Sequence, residues 1–221
     1  MQIVNDISFW QDKANFNIMR QKSVGVILRA GQGSWRDSRF STFRTGAMSA
    51  NLPFGSYFYY DNNFDPKRQA EKWAEILDGM PGTLGAWLDL EDSGIGQFKS
   101  WKHWYDCIER FKILMPNVQL GIYTRASYFD ELVPESKKSY FTQYPLWIAH
   151  YKVNKPTLPK GWTDWVLWQF TDSGDGHAHG VGSHEIDMNY YKGNLVVPTS
   201  KASQMTANFQ KQSVEYVEKQ Q

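Results

Sequence analysis

The strongest constraint on this chain is a rhythm of strand-like apolar runs alternating with helical patterns. Residues 2–7 read as a first strand, ending near Asp6. Residues 24–30 form a near-continuous apolar run, as expected of a strand buried on both faces. Gly31 and Gly33 open a loop, and Phe40, Phe43, Ala47 and Met48 fall at helical spacing until Pro53. Residues 55–60 are a third strand. Asp65-Pro66 starts a helix whose apolar face is Ala70, Trp73, Ala74 and Leu77, and Gly79 ends it. Residues 84–92 make a fourth strand. Ser100 caps a helix striped by Trp104, Ile108, Phe111 and Met115. Residues 118–123 are a fifth strand, followed by helical segments near 127–132 and 138–142. Then the rhythm changes: strands at 146–150, 165–170 and 185–188 are joined by segments rich in Pro and Gly. Alternating strand and helix implies a parallel sheet with helices outside. Eight strands predict closure: an α/β fold, a TIM-like (β/α)5(β)3 barrel, in a single domain over residues 1–197. Residues 198–221 are polar and read as a C-terminal tail or linker with a weak apolar face of Met205, Phe209 and Val217.

Composition narrows the function. The 221 residues suffice for one large core. A net charge of +1 argues against nucleic acid as a partner of the whole domain. The single cysteine, Cys107, forms no internal disulfide and lies mid-helix among apolar residues. No run is long enough for membrane insertion, and no secretory signal opens the chain. Ten tryptophans and 16% aromatic residues fit either a bulky core or a groove of flat faces for sugar rings. The pattern specifies no oligomeric state.

The fourth strand carries the chemistry. Side chains alternate along a strand, so Trp87, Asp89 and Glu91 share one face while Leu88 and Leu90 share the other. Two carboxyls held close disfavour joint ionisation, so one pKa rises. A neutral acid beside a carboxylate is what glycosidic cleavage requires. A strand running into a solvated acidic loop has the same local pattern. The strand ends decide between them: Asp6, Arg29, Tyr57, Tyr59, Asp89, Glu91, Tyr123, Trp147, His150, Gln169 and Asp187 recur there. In a (β/α) barrel these ends converge on one mouth, and acids from three strands at one rim point to an enzyme. The spacing of Asp89 and Glu91 leaves retention and inversion open. His177-Ala178-His179 and His184 could suggest a metal, but His-x-His without a nearby Cys or an acid at ligand spacing is a signal of low specificity, so no metal is expected. Gly31-Gln32-Gly33 lacks the third glycine of a dinucleotide fingerprint. No cofactor is expected.

An ordered set of short motifs extends the reading. It comprises Asp6-Ile7-Ser8 with Trp10-Gln11, Gly55-Ser56-Tyr57-Phe58-Tyr59, Trp87-Leu88-Asp89-Leu90-Glu91, Gly121-Ile122-Tyr123-Thr124, Leu146-Trp147-Ile148-Ala149 with Tyr151, Trp168-Gln169-Phe170, and Asp187-Met188-Asn189. Over about residues 3–195 the chain resembles the glycoside hydrolase family 25 muramidases, the Chalaropsis-type lysozymes, which include many phage endolysins. It departs at Phe58, where the family usually carries His; Arg29 stands where it often has Lys or Arg. The resemblance implies cleavage of the β-1,4 bond between N-acetylmuramic acid and N-acetylglucosamine in bacterial peptidoglycan. Chemistry and resemblance together make Glu91 the general acid, with Asp89 staying ionised to assist. Asp6 and Asp187 flank the pair. Tyr57, Tyr59 and Tyr123 would bond sugar hydroxyls or the acetamido carbonyl, Trp147 and Tyr151 would offer stacking faces, and Gln169 and Arg29 would complete the substrate site. The resemblance leans toward net retention with substrate assistance. Without a leader, the expected context is a phage lysin made in the host cytoplasm and acting on the cell wall, or export by a leaderless route. A non-catalytic barrel that binds wall glycan, and a barrel hydrolase of chitin-like polymers, are the alternatives.

Overall fold

The structure, a computed structural model, describes residues 1–91 and 97–193. In chain order these hold β1 (Gln2–Ile7), α1 (Phe16–Lys22), β2 (Gly25–Gln32), β3 (Trp35–Arg36), α2 (Phe40–Ser49), β4 (Phe54–Tyr59), α3 (Pro66–Leu77) and β5 (Ala86–Asp89). There follow α4 (Trp101–Leu114), β6 (Leu120–Thr124), α5 (Ala126–Leu132), α6 (Glu135–Phe141), β7 (Leu146–Ala149), β8 (Leu167–Asp175) and β9 (Glu185–Tyr191). β1 pairs with both β2 and β9, so every strand except β3 belongs to a closed eight-stranded barrel. β3 folds back on the end of β2, outside the ring. The expected boundary at 197 and the expected tail at 198–221 lie outside the described residues.

One strand departs from the expected parallel sheet. β9 runs antiparallel to both its neighbours, β8 and β1. The connection from β8 to β9, residues 176–184, is too short for the crossover that a parallel pair needs, so the two strands form an antiparallel hairpin. Asp187 therefore reaches the mouth from the first half of a reversed strand, not from a strand's C-terminal end.

The patterning misses two elements, α1 and β3. α1 spans too few residues for a helical period to show, burying Phe16 and Met19. Asn15 starts it by accepting from the backbone N–H groups of Asn17 and Ile18. The predicted caps hold: Asp65 accepts from Lys67 and Arg68 N–H with Pro66 at the first helical position, and Ser100 accepts from Lys102 N–H. β5 is shorter than expected. It stops at Asp89, Glu91 lies just beyond it, and Asp92 is outside the described residues.

Strand alternation sorts the apolar side chains into two layers. Leu28, Phe58, Leu88, Leu90, Ile122 and Ile148 pack outward under the helices. Val4, Ile27, Trp87, Tyr123, Trp147, Leu167 and Tyr191 fill the barrel. In the outer layer Trp73 of α3 lies between Phe58, at 5.7 Å between ring centroids, and Phe111 of α4, at 3.8 Å. Burying a side chain of this size contributes about 2–3 kcal/mol. Phe58 thus belongs to the helix-facing layer, so its departure from the family pattern leaves the barrel mouth untouched. Cys107 is buried in α4, where burial pushes its thiol pKa up.

Candidate active site

At the mouth, a cavity of ≈ 370 Å³ is lined by Asp6, Arg29, Tyr57, Tyr59, Asp89, Glu91, Tyr123, Trp147, Tyr151, Gln169 and Asp187. Every site residue predicted from the sequence is in that wall. Each is delivered by the inward phase of its strand or by the residues just after it: Asp6 follows Val4, Arg29 follows Ile27, and Asp89 follows Trp87.

The floor is aromatic. Trp147 is buried and meets Tyr123 edge-on at 4.7 Å, Trp87 at 5.9 Å and Tyr57 at 6.0 Å. At only 2% exposure it supports the cavity where an open stacking face was expected. Its Nε1 donates to Asn189 Oδ1 at 2.6 Å. Tyr151 is half-buried at the rim.

Gln169 is the hub of the polar wall. Its Oε1 accepts from Tyr123 Oη at 2.8 Å and Tyr151 Oη at 2.6 Å. Its Nε2 donates to Asp6 Oδ2 at 3.0 Å and Asp187 Oδ2 at 3.4 Å. Asn189 Nδ2 adds a bond to Asp6 Oδ2 at 2.7 Å. Across the cavity, Arg29 Nε donates to Asp37 Oδ2 at 2.8 Å, and the guanidinium lies 4.5 Å from the Phe9 ring centroid. Asp37 is itself fixed by the N–H groups of Phe9 and Arg39. Two buried atoms of residues lining this cavity have no hydrogen-bond partner among the described residues: Asp89 Oδ1 and Arg29 Nη2. An unsatisfied buried polar atom costs about 1–3 kcal/mol, which a ligand can recover.

The carboxyls perturb each other. Asp6 and Asp187 are direct cross-strand partners. Burial raises both, and the hydrogen bond between them holds Asp6 down while raising Asp187, whose pKa is pushed up to about 10. The pair therefore favours holding one proton between its two carboxyls, with Asp187 raised by both burial and its neighbour. Asp89 is raised well above its ordinary value, chiefly by burial and then by the charges of Glu91 and Asp6, with Arg29 opposing. This shift works against the ionised form that the sequence reading expects of Asp89. The reason is its enclosure, which strand alternation does not reveal. Glu91 is half-buried at the edge.

Three contributors escape the sequence reading. Asp37 and Asn189 hold Arg29, Asp6 and Trp147 in place, and Trp10, 71% exposed, forms part of the cavity wall. Trp10 and Asn189 lie inside quoted motifs, so motif membership was the available signal; Asp37 had none. The histidine-rich β8–β9 connection has a structural task. His179 Nδ1 lies 2.9 Å from Asn5 Oδ1, tying that connection to the residue beside Asp6. Among the described residues, no group of three or more His, Cys, Asp or Glu is arranged to hold a metal ion.

Residues 5–179 match the model of Glycosyl hydrolases family 25. Lysozyme M1 of Streptomyces globisporus is 29% identical over 203 residues, which cover 85% of this chain and 67% of the relative. The autolytic lysozyme of Clostridium acetobutylicum is 27% identical over 195 residues, covering 82% of this chain and 54% of the relative. The chain thus spans about half the length of the second relative. The crystal structure of the bacterial lysozyme from Streptomyces coelicolor matches with a TM-score of 0.74 at 25% identity, covering 87% of this chain and 92% of that one.

Proposed function

The chain belongs to the glycosyl hydrolases of family 25 and is a glycoside hydrolase; on that premise we propose that it cleaves the β-1,4 bond between N-acetylmuramic acid and N-acetylglucosamine in bacterial peptidoglycan. Glu91, half-buried at the edge of the cavity, protonates the leaving oxygen as the glycosidic bond breaks. Positive charge then grows at the anomeric carbon. Asp89 acts as the carboxylate, stabilising that charge directly or by orienting the 2-acetamido group as an internal nucleophile. A water adds to the anomeric carbon, its proton returns to Glu91, and the product has a new reducing end at muramic acid. Asp6, Asp187 and Gln169 hold the wall opposite, and Arg29 Nη2 offers a donor to a sugar oxygen.

The observation that carries this reading is the meeting of Asp6 from β1, Asp89 and Glu91 from the end of β5, and Asp187 from β9 around one cavity where Asp89 Oδ1 is buried and unpartnered among the described residues. Digestion of purified cell walls, with mass spectrometry of the fragments, tests it. New reducing ends at muramic acid are expected, and Glu91→Gln is expected to lower kcat by about 10²–10⁴. Fragments ending elsewhere, or undiminished turnover in Glu91→Gln, would refute it. Chitin oligomers in the same assay separate a chitin-like preference from this one.

A further inference from the structure

A second cavity adjoins the first. It measures ≈ 650 Å³ and shares Glu91, Tyr123 and Tyr151 with the acid cavity. The chain builds it where β6 passes into α5. Tyr123 points into the barrel, and Arg125, just before α5, is exposed. The small side chains Ala126, Ser127 and Ala149 line the space. Its far wall is braced by Thr157 N–H donating to His150 Nδ1 at 3.0 Å, and by Trp168 Nε1 donating to the His150 carbonyl at 2.8 Å.

The charge of this second space differs from that of the first. Arg29, Arg39 and Arg110 each pair with a carboxylate. Among the described residues no ion pair uses Arg125. An exposed guanidinium on a cavity wall is suited to a planar anion, and carboxylate is the anion its fork matches. A peptidoglycan sugar backbone is uncharged; its carboxylates sit on the lactyl group and on the peptide attached there. The volume falls within the range, about 300–1,000 Å³, that encloses small ligands, which leaves room for a few peptide residues. The two cavities meet at Glu91, where the bond breaks.

Resting on the muramidase reading, we propose that the second cavity holds the peptide stem of the glycan, with Arg125 binding a stem carboxylate and setting the enzyme's preference for stem-bearing chains. The test compares KM and kcat on stem-bearing glycan chains with those on the same chains stripped of peptide by an amidase, for the protein and for Arg125→Gln. The expected result is a five- to tenfold rise of the KM ratio, stem-bearing over stripped, in Arg125→Gln, with kcat on stem-bearing chains held and partial recovery in Arg125→Lys. An unchanged ratio overturns the proposal. So does an equal loss on stripped chains, whose lactyl carboxylate is free, because Arg125 would then read the lactyl group. If the unaltered protein cleaves neither substrate, the muramidase reading falls and takes this proposal with it. Arg125 is exposed, and matching thermal unfolding of protein and variant shows that the fold is kept.

Discussion

Asp187 faces Asp6 across an antiparallel pair, and the proton they share follows from that register. Like charges directly opposite on a sheet destabilise it, and here burial forbids water from screening them. The Asp187 pKa rises from 3.8 to about 10. Between those values the folded protein keeps a proton that the unfolded chain has released, so this group makes stability fall as pH rises through the window. Asp187→Asn keeps a donor toward Asp6 and removes the titration. Its urea midpoint is expected to exceed that of the parent at pH 8, by the equivalent of a few kcal/mol, and to match it near pH 4. Equal midpoints at pH 8 would contradict the shared proton. At this scale the sequence exposes the acids themselves, because Trp87, Asp89 and Glu91 sit in one phase of a strand. It hides Asp37 and Asn189, whose value depends on what stands opposite them.

β6 shows how an element positions a site it does not catalyse from. A side-chain carbon at Gly121 would lie 2.3 Å from the Trp87 ring. Gly121 is thus the space in which Trp87 sits, and Trp87 precedes Asp89 by two residues on the same face. Gly121→Ala is expected to lower stability by about 1–3 kcal/mol in urea unfolding and to reduce turnover by shifting Asp89. A variant with parent stability would show that the ring moves freely aside. Helix starts are legible because their chemistry is local: Asp65-Pro66 and Ser100 cap through their own side chains. α1 is not, because two buried residues cannot mark a period. The end of β5 is not either, because pairing with β4 and β6 decides where a strand stops.

The whole molecule depends on closure. Gln2 pairs with Tyr191, so the first and last described strands meet. The polar wall draws Asp6 from β1, Gln169 from β8 and Asp187 from β9, which makes the site a product of that final seam. Opening the seam removes the site and the inner core together. Urea unfolding followed by tryptophan fluorescence, far-ultraviolet circular dichroism and residual activity is therefore expected to give coincident transitions; activity lost well before the other two signals would count against a single closed unit. Periodicity and motif order, both written in the chain, determine the strand and helix alternation, the eight-strand count, the acids and the family, since each arises from neighbours within a few residues. The direction of β9, the raised pKa values of Asp89 and Asp187, the burial of Trp147 and the second cavity beside Arg125 were decided by tertiary structure alone. Each depends on burial and on side chains brought together from distant parts of the chain, and both come into being only when the barrel closes.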